Sequence, residues 1–126
     1  MIGARPYLDT DYEAVSQWWA KHGEKPPAEN MYPVRGFIVE NVAAAFMYET
    51  DSAISLLEMI IYNPAAPKDT RQKALDEVIE AVILQARGLG YEVLAGFTDM
   101  PVVVERSKKF GFVPRGTGHT MVTKEL

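Results

Sequence analysis

At 126 residues, 48% of them hydrophobic, the chain is sized for one compact domain with a real core. With two histidines and no cysteine it has no means for disulfides, thiolate metal sites or thiol catalysis, and no metal is expected. The net charge of -4 argues against a general nucleic-acid binder, and no apolar run approaches the length that spans a bilayer, so a cytosolic protein is expected.

The charge is unevenly spread. Residues 1 to 63 carry four Lys/Arg against nine Asp/Glu, and residues 64 to 126 carry nine against eight. A cationic ligand is favoured by the first half and an anionic one by the second.

In chain order, "ARPY" suits a short strand. Thr10 followed by Glu13 reads as a capping box opening a helix through about Lys21, with Tyr12, Val15, Trp19 and His22 as its core stripe and Trp18 on its margin. "KHGEKPPAENMYP" reads as a loop with room for one helical turn. "RGFIVE", "VAAAFMYET" and "AISLLEMIIY", broken at Glu40-Asn41 and at "TDS", predict a three-strand antiparallel meander. After Pro67 a long helix places Leu75, Val78, Ile79, Val82, Ala86 and Leu89 on one face and ends at Gly88 or Gly90. "YEVLAGF" predicts a short strand buried on both faces. In "DMPVVVERSKKFG" the three valines favour a strand, but Pro at the start, lysines in the last turn and a glycine stop favour a helix, which is the reading adopted. "FVPRG" and "HTMVTKEL" would be closing strands joined by a "GTG" turn. The result is an α+β layout with a mixed sheet.

In this order of elements the chain resembles the GNAT superfamily of acyl-CoA-dependent N-acyltransferases, nearly from end to end. "YNPAAPKDTRQKAL" matches the family's passage from central strand through Val-x-Pro into its Gly-containing turn and helix, with Pro64 as the motif proline and Leu75 as the first core leucine. "ERSKKFGF" matches the later helix that ends in Gly-Phe. "EMIIYNPAAPKDTRQKAL" is similar, more narrowly, to the compact, glycine-poor members encoded by bacteriophages. Lys68, Thr70 and Gln72 stand at the usual glycine positions, Met100 where many members carry Asn, and Ser107 where many carry a Tyr that protonates the leaving thiolate. The resemblance implies a single domain over residues 1 to 126, with six to seven strands flanked by about four helices.

It also implies acetyl-CoA as cosubstrate and an amine acceptor: a protein N-terminus, a lysine or a small amine such as a polyamine. Ile60, Ile61 and Tyr62 would line the pantetheine arm and polarise the thioester carbonyl through their amides. Lys68, Thr70, Arg71, Gln72 and Lys73 would hold the pyrophosphate at the helix start, where free N–H groups and about half a unit of positive charge gather even without glycine. The opposing reading makes Asp69 with Gln72 an ordinary cap that competes for those N–H groups.

A primary amine is protonated at neutral pH, so direct attack on a thioester needs a general base. Glu58 is the candidate, the one carboxylate in an apolar strand, placed by strict alternation on the face of Leu56, Ile60 and Tyr62 and with a pKa that burial would raise. Its opposing reading is a paired or edge carboxylate. Tyr62 and Tyr91 could replace the missing acid, or pack. Trp18 could line an acceptor cleft, Asp11, Glu24, Glu29 and Glu40 could attract a cation, and His119 would sit on the last strand. Two other functions stay open, a silent GNAT-fold protein that binds a partner protein and a CoA-binding sensor. A homodimer is possible.

Overall fold

The computed structural model describes residues 3–126. Its contacts fall into two units, residues 1–96 and 97–126. In the first, a five-stranded sheet runs β1 (Arg5–Pro6), β2 (Arg35–Val39), β3 (Ala43–Tyr48), β4 (Ile54–Tyr62) and β5 (Val93–Ala95), in that spatial order. The first four strands are antiparallel neighbours, and β5 pairs parallel with β4.

The three-strand meander forms as its sequence predicts, and Asn41 makes its first turn at φ 66°, a left-handed conformation that Asn tolerates. β3 carries the alanine run Ala43, Ala44 and Ala45, each fully buried. Such small side chains let helices approach the central strand from both faces. One face is covered by α1 (Tyr12–Lys21), whose Val15 and Trp18 pack with Ile38, Ala44, Phe46 and Ile61. Against β2, β3 and β4 lies α2 (Lys68–Gly88), which buries Ala74, Leu75, Val78, Ile79, Val82 and Ala86 at helical spacing. α2 stops as expected, with Gly90 at φ 88° and the Tyr91 amide donating back to the Ala86 carbonyl.

Several local expectations are corrected. Thr10 does not cap α1. A 3-10 turn, Asp9–Asp11, precedes the helix, and Asp11, the N-cap residue of α1, makes no side-chain cap bond to it: its carboxylate accepts instead from the Leu8 amide ahead of the turn at 2.8 Å while gripping Arg5 through both oxygens. That bidentate pair holds the Asp11 carboxyl below its usual pKa, chiefly through the hydrogen bond from Arg5. Trp18 is core at 4% exposure, so it lines no cleft, and Leu89 is exposed. β5 is an edge strand with Val93 half exposed, because only β4 pairs with it.

The second unit contains α3 (Pro101–Lys108), a helix with Pro at its first position and Gly111 at φ 89° beyond its end. Propensity for strand in Val102–Val104 yields to these end signals. The closing strands do not form. Pro114 cannot donate to a ladder, Gly118 turns at φ 75°, and without a ladder partner an isolated strand has no stability, so residues 112–126 stay irregular and His119 is on no strand. The count is therefore five strands and three α-helices among the described residues, not six to seven and four.

Candidate functional site

Glu58 sits where β4 stops being regular. Before it, Leu56, Leu57 and Glu58 stand opposite Tyr48, Met47 and Phe46. Beyond it the register shifts, and Ile61 and Tyr62 stand opposite Ala44 and Ala43. Two residues, Met59 and Ile60, thus face Ala45, which is a β-bulge, and Met59 takes φ 56° to make it. The bulge breaks strict alternation. Glu58 shares its face with Leu56, as expected, but then with Ile61 and not with Ile60 and Tyr62.

The bulge also decides which amides are available. The Asn63 amide donates to the Val42 carbonyl at 2.8 Å, so by antiparallel alternation the Ile61 amide also faces β3, and those of Ile60 and Tyr62 face away from it. On that outer side the ladder to β5 ends at Leu56 opposite Ala95. Ile60 and Tyr62 therefore present N–H groups past the end of the β4–β5 pairing, whereas Ile61 is a core residue at 5% exposure. The outward carbonyl of Tyr62 is taken: His22 Nε2 donates to it at 2.9 Å, and the His22 ring stands edge-on to the Tyr62 ring.

The helix that follows answers the capping question. Its N-cap is Pro67, which offers no side-chain cap, and the first intrahelical bond runs from the Arg71 amide to the Pro67 carbonyl. The amides of Lys68, Asp69 and Thr70 precede that bond, and Asp69 lies inside the first turn, not at the cap. The helix is already under way at Lys68, and no residue from 68 to 73 has a positive φ, so the missing glycines leave no strain. Lys68, Thr70 and Lys73 are exposed. Arg71 is turned inward, its guanidinium 4.9 Å from the centre of the Tyr62 ring and bonded to the Pro64 carbonyl. It braces the strand–helix corner, and Gln72 beside it is half-buried.

The Glu58 carboxyl is half-buried and has no cationic partner among the described residues; desolvation holds its pKa above the usual 4.5. Beside it is a group that sequence reasoning missed. Tyr48 faces Leu56 and is thus the diagonal neighbour of Glu58 on the same face. Burial, with a smaller push from the Glu58 charge, raises the Tyr48 phenol. Its hydroxyl donates to the Met31 carbonyl at 3.0 Å, so the oxygen is left to accept. Counting back from "TDS" in antiparallel register would have found it.

The other candidates separate. Tyr91 exchanges hydrogen bonds with the Thr50 backbone, and Tyr62 is packed between His22 and Arg71, so both are structural. Asp11 serves Arg5, and Glu40 lies 3.8 Å from the same guanidinium. Glu29 stands on a 3-10 turn, Glu29–Met31, and Glu24 is exposed. In the second unit, Ser107 donates to the Val104 carbonyl of its own helix at 2.7 Å, Met100 is the N-cap residue of α3, and His119 stands edge-on to Phe97.

The fold is shared with solved structures, several of which are acetyltransferases. The chain has their GNAT-like fold. An acetyltransferase from Trypanosoma brucei superposes with TM-score 0.71 at 11% identity, covering 95% of this chain and 98% of that one. A putative acetyltransferase from Agrobacterium tumefaciens gives TM-score 0.72 at 17% identity, with 95% and 99% covered. A transcriptional regulator from Bacillus halodurans is as similar, at TM-score 0.71 and 15% identity over 95% and 98%. No family model and no curated protein sequence matches. At such identities the likeness establishes the fold, and function has to come from the site.

Proposed function

We propose that the protein transfers an acetyl group from acetyl-CoA to a primary amine by direct attack, with Glu58 as general base. The observation that carries this reading is the end of β4, where a desolvated carboxylate without a cationic partner among the described residues is followed by outward amides and a helix start with no side-chain cap.

The residues suit the cosubstrate. The amides of Lys68, Asp69 and Thr70, the helix dipole, and the exposed Lys68 and Lys73 make a site for a pyrophosphate. Thr70 and Gln72 add polar side chains, and Arg71 fixes the corner that carries them. Acetyl-CoA supplies the thioester carbonyl, the electrophile of the reaction. The outward amides of Ile60 and Tyr62 serve as donors to the oxygen that gains charge during attack.

Glu58 removes one proton from the acceptor's ammonium, and its raised pKa brings it closer to the range useful for that work near neutral pH. The Tyr48 oxygen, its own proton committed to Met31, accepts from a second N–H and aims the amine. With the Ser107 proton committed to Val104, the leaving thiolate takes its proton from water.

Calorimetric titration with CoA and acetyl-CoA tests the first step, and saturable binding is expected. Its absence at millimolar ligand, or a panel of primary amines that yields no acetylated product, would remove the proposal.

A further inference from the structure

The corner between β4 and α2 is tied down bond by bond. The Asn63 amide donates to Val42, and the Asn63 carbonyl accepts from the Ala66 amide at 3.1 Å. The Asn63 side chain donates to the Asn41 carbonyl at 2.9 Å and accepts from the Ala65 amide at 3.0 Å. The Pro64 carbonyl accepts from Arg71, and proline has no amide to place. These bonds fix the backbone from Asn63 onward. Tyr62, just before them, lies past the β5 ladder and past the bulge at Met59, so its outer side needs another brace.

That brace comes from the end of α1. The His22 amide bonds to the Trp18 and Trp19 carbonyls at 3.2 and 3.1 Å, and the Gly23 amide to the Ala20 carbonyl at 2.9 Å. Gly23, at φ 78°, then turns the chain away. The helix itself is anchored on the sheet through buried Val15 and Trp18. The imidazole is therefore delivered to β4 by a fixed helix end. Its Nε2 donates to the Tyr62 carbonyl at 2.9 Å, and its ring stands edge-on to the Tyr62 ring at 4.7 Å between centres. Arg71 lies over the same ring at 4.9 Å. One imidazole thus holds both the backbone and the side chain of Tyr62.

In an extended strand the N–H and C=O of one residue point to the same side. A donor fixed on the outward carbonyl of Tyr62 therefore also fixes where the outward Tyr62 amide points.

We infer that His22 is a positioning residue for acyl transfer: by clamping Tyr62 it aims the Tyr62 amide at the oxygen of the thioester carbonyl. It touches no reacting atom and moves no proton. The catalytic consequence rests on the acetyl-transfer reading. The clamp rests on the contacts of His22 alone.

Two variants of the full chain separate its contacts. His22→Phe keeps a ring against Tyr62 and loses the donor, and His22→Gln keeps a side-chain N–H at similar reach and loses the ring. With saturating acetyl-CoA, His22→Phe should lower kcat about tenfold, short of the 10²- to 10³-fold that outright loss of an oxyanion donor costs. KM for the amine and calorimetric CoA affinity should stay within about threefold of wild type, and His22→Gln should recover most of kcat. A second readout needs no activity. In ¹⁵N relaxation of the free chain, the Tyr62 amide order parameter should fall in His22→Phe from about 0.85, typical of rigid backbone, toward the flexible range below about 0.6, and return in His22→Gln.

A Tyr62 amide equally ordered in wild type and His22→Phe would overturn the clamp whatever the activity. A His22→Phe kcat within about twofold of an active wild type would overturn the positioning role, as would a shared loss of melting temperature in both variants with kcat unchanged. Tighter CoA binding by His22→Phe would overturn it too, because the imidazole would then be occupying the ligand's place. A loosened Tyr62 amide in a chain whose wild type acetylates no amine would support the clamp and remove the acetyl-transfer reading.

Discussion

Along β4, Ile54 to Leu57 pair in regular register, Ile54 to Leu56 with β5 and Leu56 and Leu57 with β3, whereas Glu58 to Tyr62 lie beyond the β5 ladder and the β3 register shifts just after Glu58. The first half contributes ordinary ladder and core, with Ser55 and Leu57 buried. The second half carries a left-handed residue, Met59, whose conformation costs about 1 to 2 kcal/mol. In return it offers amides that point out of the sheet and, in Glu58, a carboxylate with no cationic partner among the described residues. Regular pairing makes the strand stable, and interrupted pairing leaves polar groups outside the ladder.

The sharpest way to break this contrast is Glu58→Gln. If the interrupted half provides the general base, kcat for a primary amine should fall about 10² to 10⁴-fold with CoA affinity retained. Amine acetylation within threefold of wild type would show that the open end of β4 supplies no base. The next largest effect belongs to the regular ladder, where Gly36 stands opposite Phe46. Gly36→Ala drives a methyl into the fully buried Phe46 ring, which is itself held by Tyr7 and Tyr32. Overpacking there should cost about 1 to 3 kcal/mol in urea denaturation. A midpoint equal to that of wild type would mean that the packing around Phe46 is looser than its ring contacts indicate.

The same contrast marks what the chain shows before it folds. The meander and α2 are legible because their apolar residues recur at periods of two and three to four, with turn and stop residues between them. The helix start after Pro67 was legible too, because the apolar period of α2 begins there. The bulge was not. "EMIIY" is apolar at every position after Glu58, so alternation there has no polar residue to register a slip. Tyr48 stayed hidden because its place beside Glu58 depends on pairing across the "TDS" turn. The burial of Trp18 and the pairing of Asp11 depend on tertiary partners, α1 on the sheet and Arg5 on β1. The absence of closing strands follows from the absence of a ladder for them to join.

Tyr48→Phe asks whether the interrupted half uses its neighbour. The ring stays, and the hydroxyl that accepts from the amine is lost, so kcat/KM for the acceptor should drop about tenfold, or about 1.4 kcal/mol. The Met31 carbonyl also loses its donor, so the melting temperature should be measured alongside. A loss of stability with unchanged kcat/KM would assign Tyr48 to holding the Glu29–Met31 turn alone.

The smallest effect is in stability against pH and carries a definite sign. Because desolvation raises the Glu58 pKa on folding, the native state binds this proton more tightly than the unfolded chain does. The carboxylate therefore destabilises the fold at pH values above both pKa values and has no differential effect below the unfolded value of 4.5, where both states are protonated. Glu58→Gln removes that dependence. Its melting temperature should match wild type most closely in acid and rise above it as pH passes upward through the raised native pKa, the reverse of Asp11→Asn. At Asp11 the hydrogen bond from Arg5 lowers the native pKa, so wild-type stability is gained above the unfolded value of 3.8, and the asparagine variant should fall behind as pH rises. If the two melting-temperature differences ran in the same direction with pH, Glu58 would be a satisfied carboxylate, and the end of β4 would be as ordinary electrostatically as its beginning.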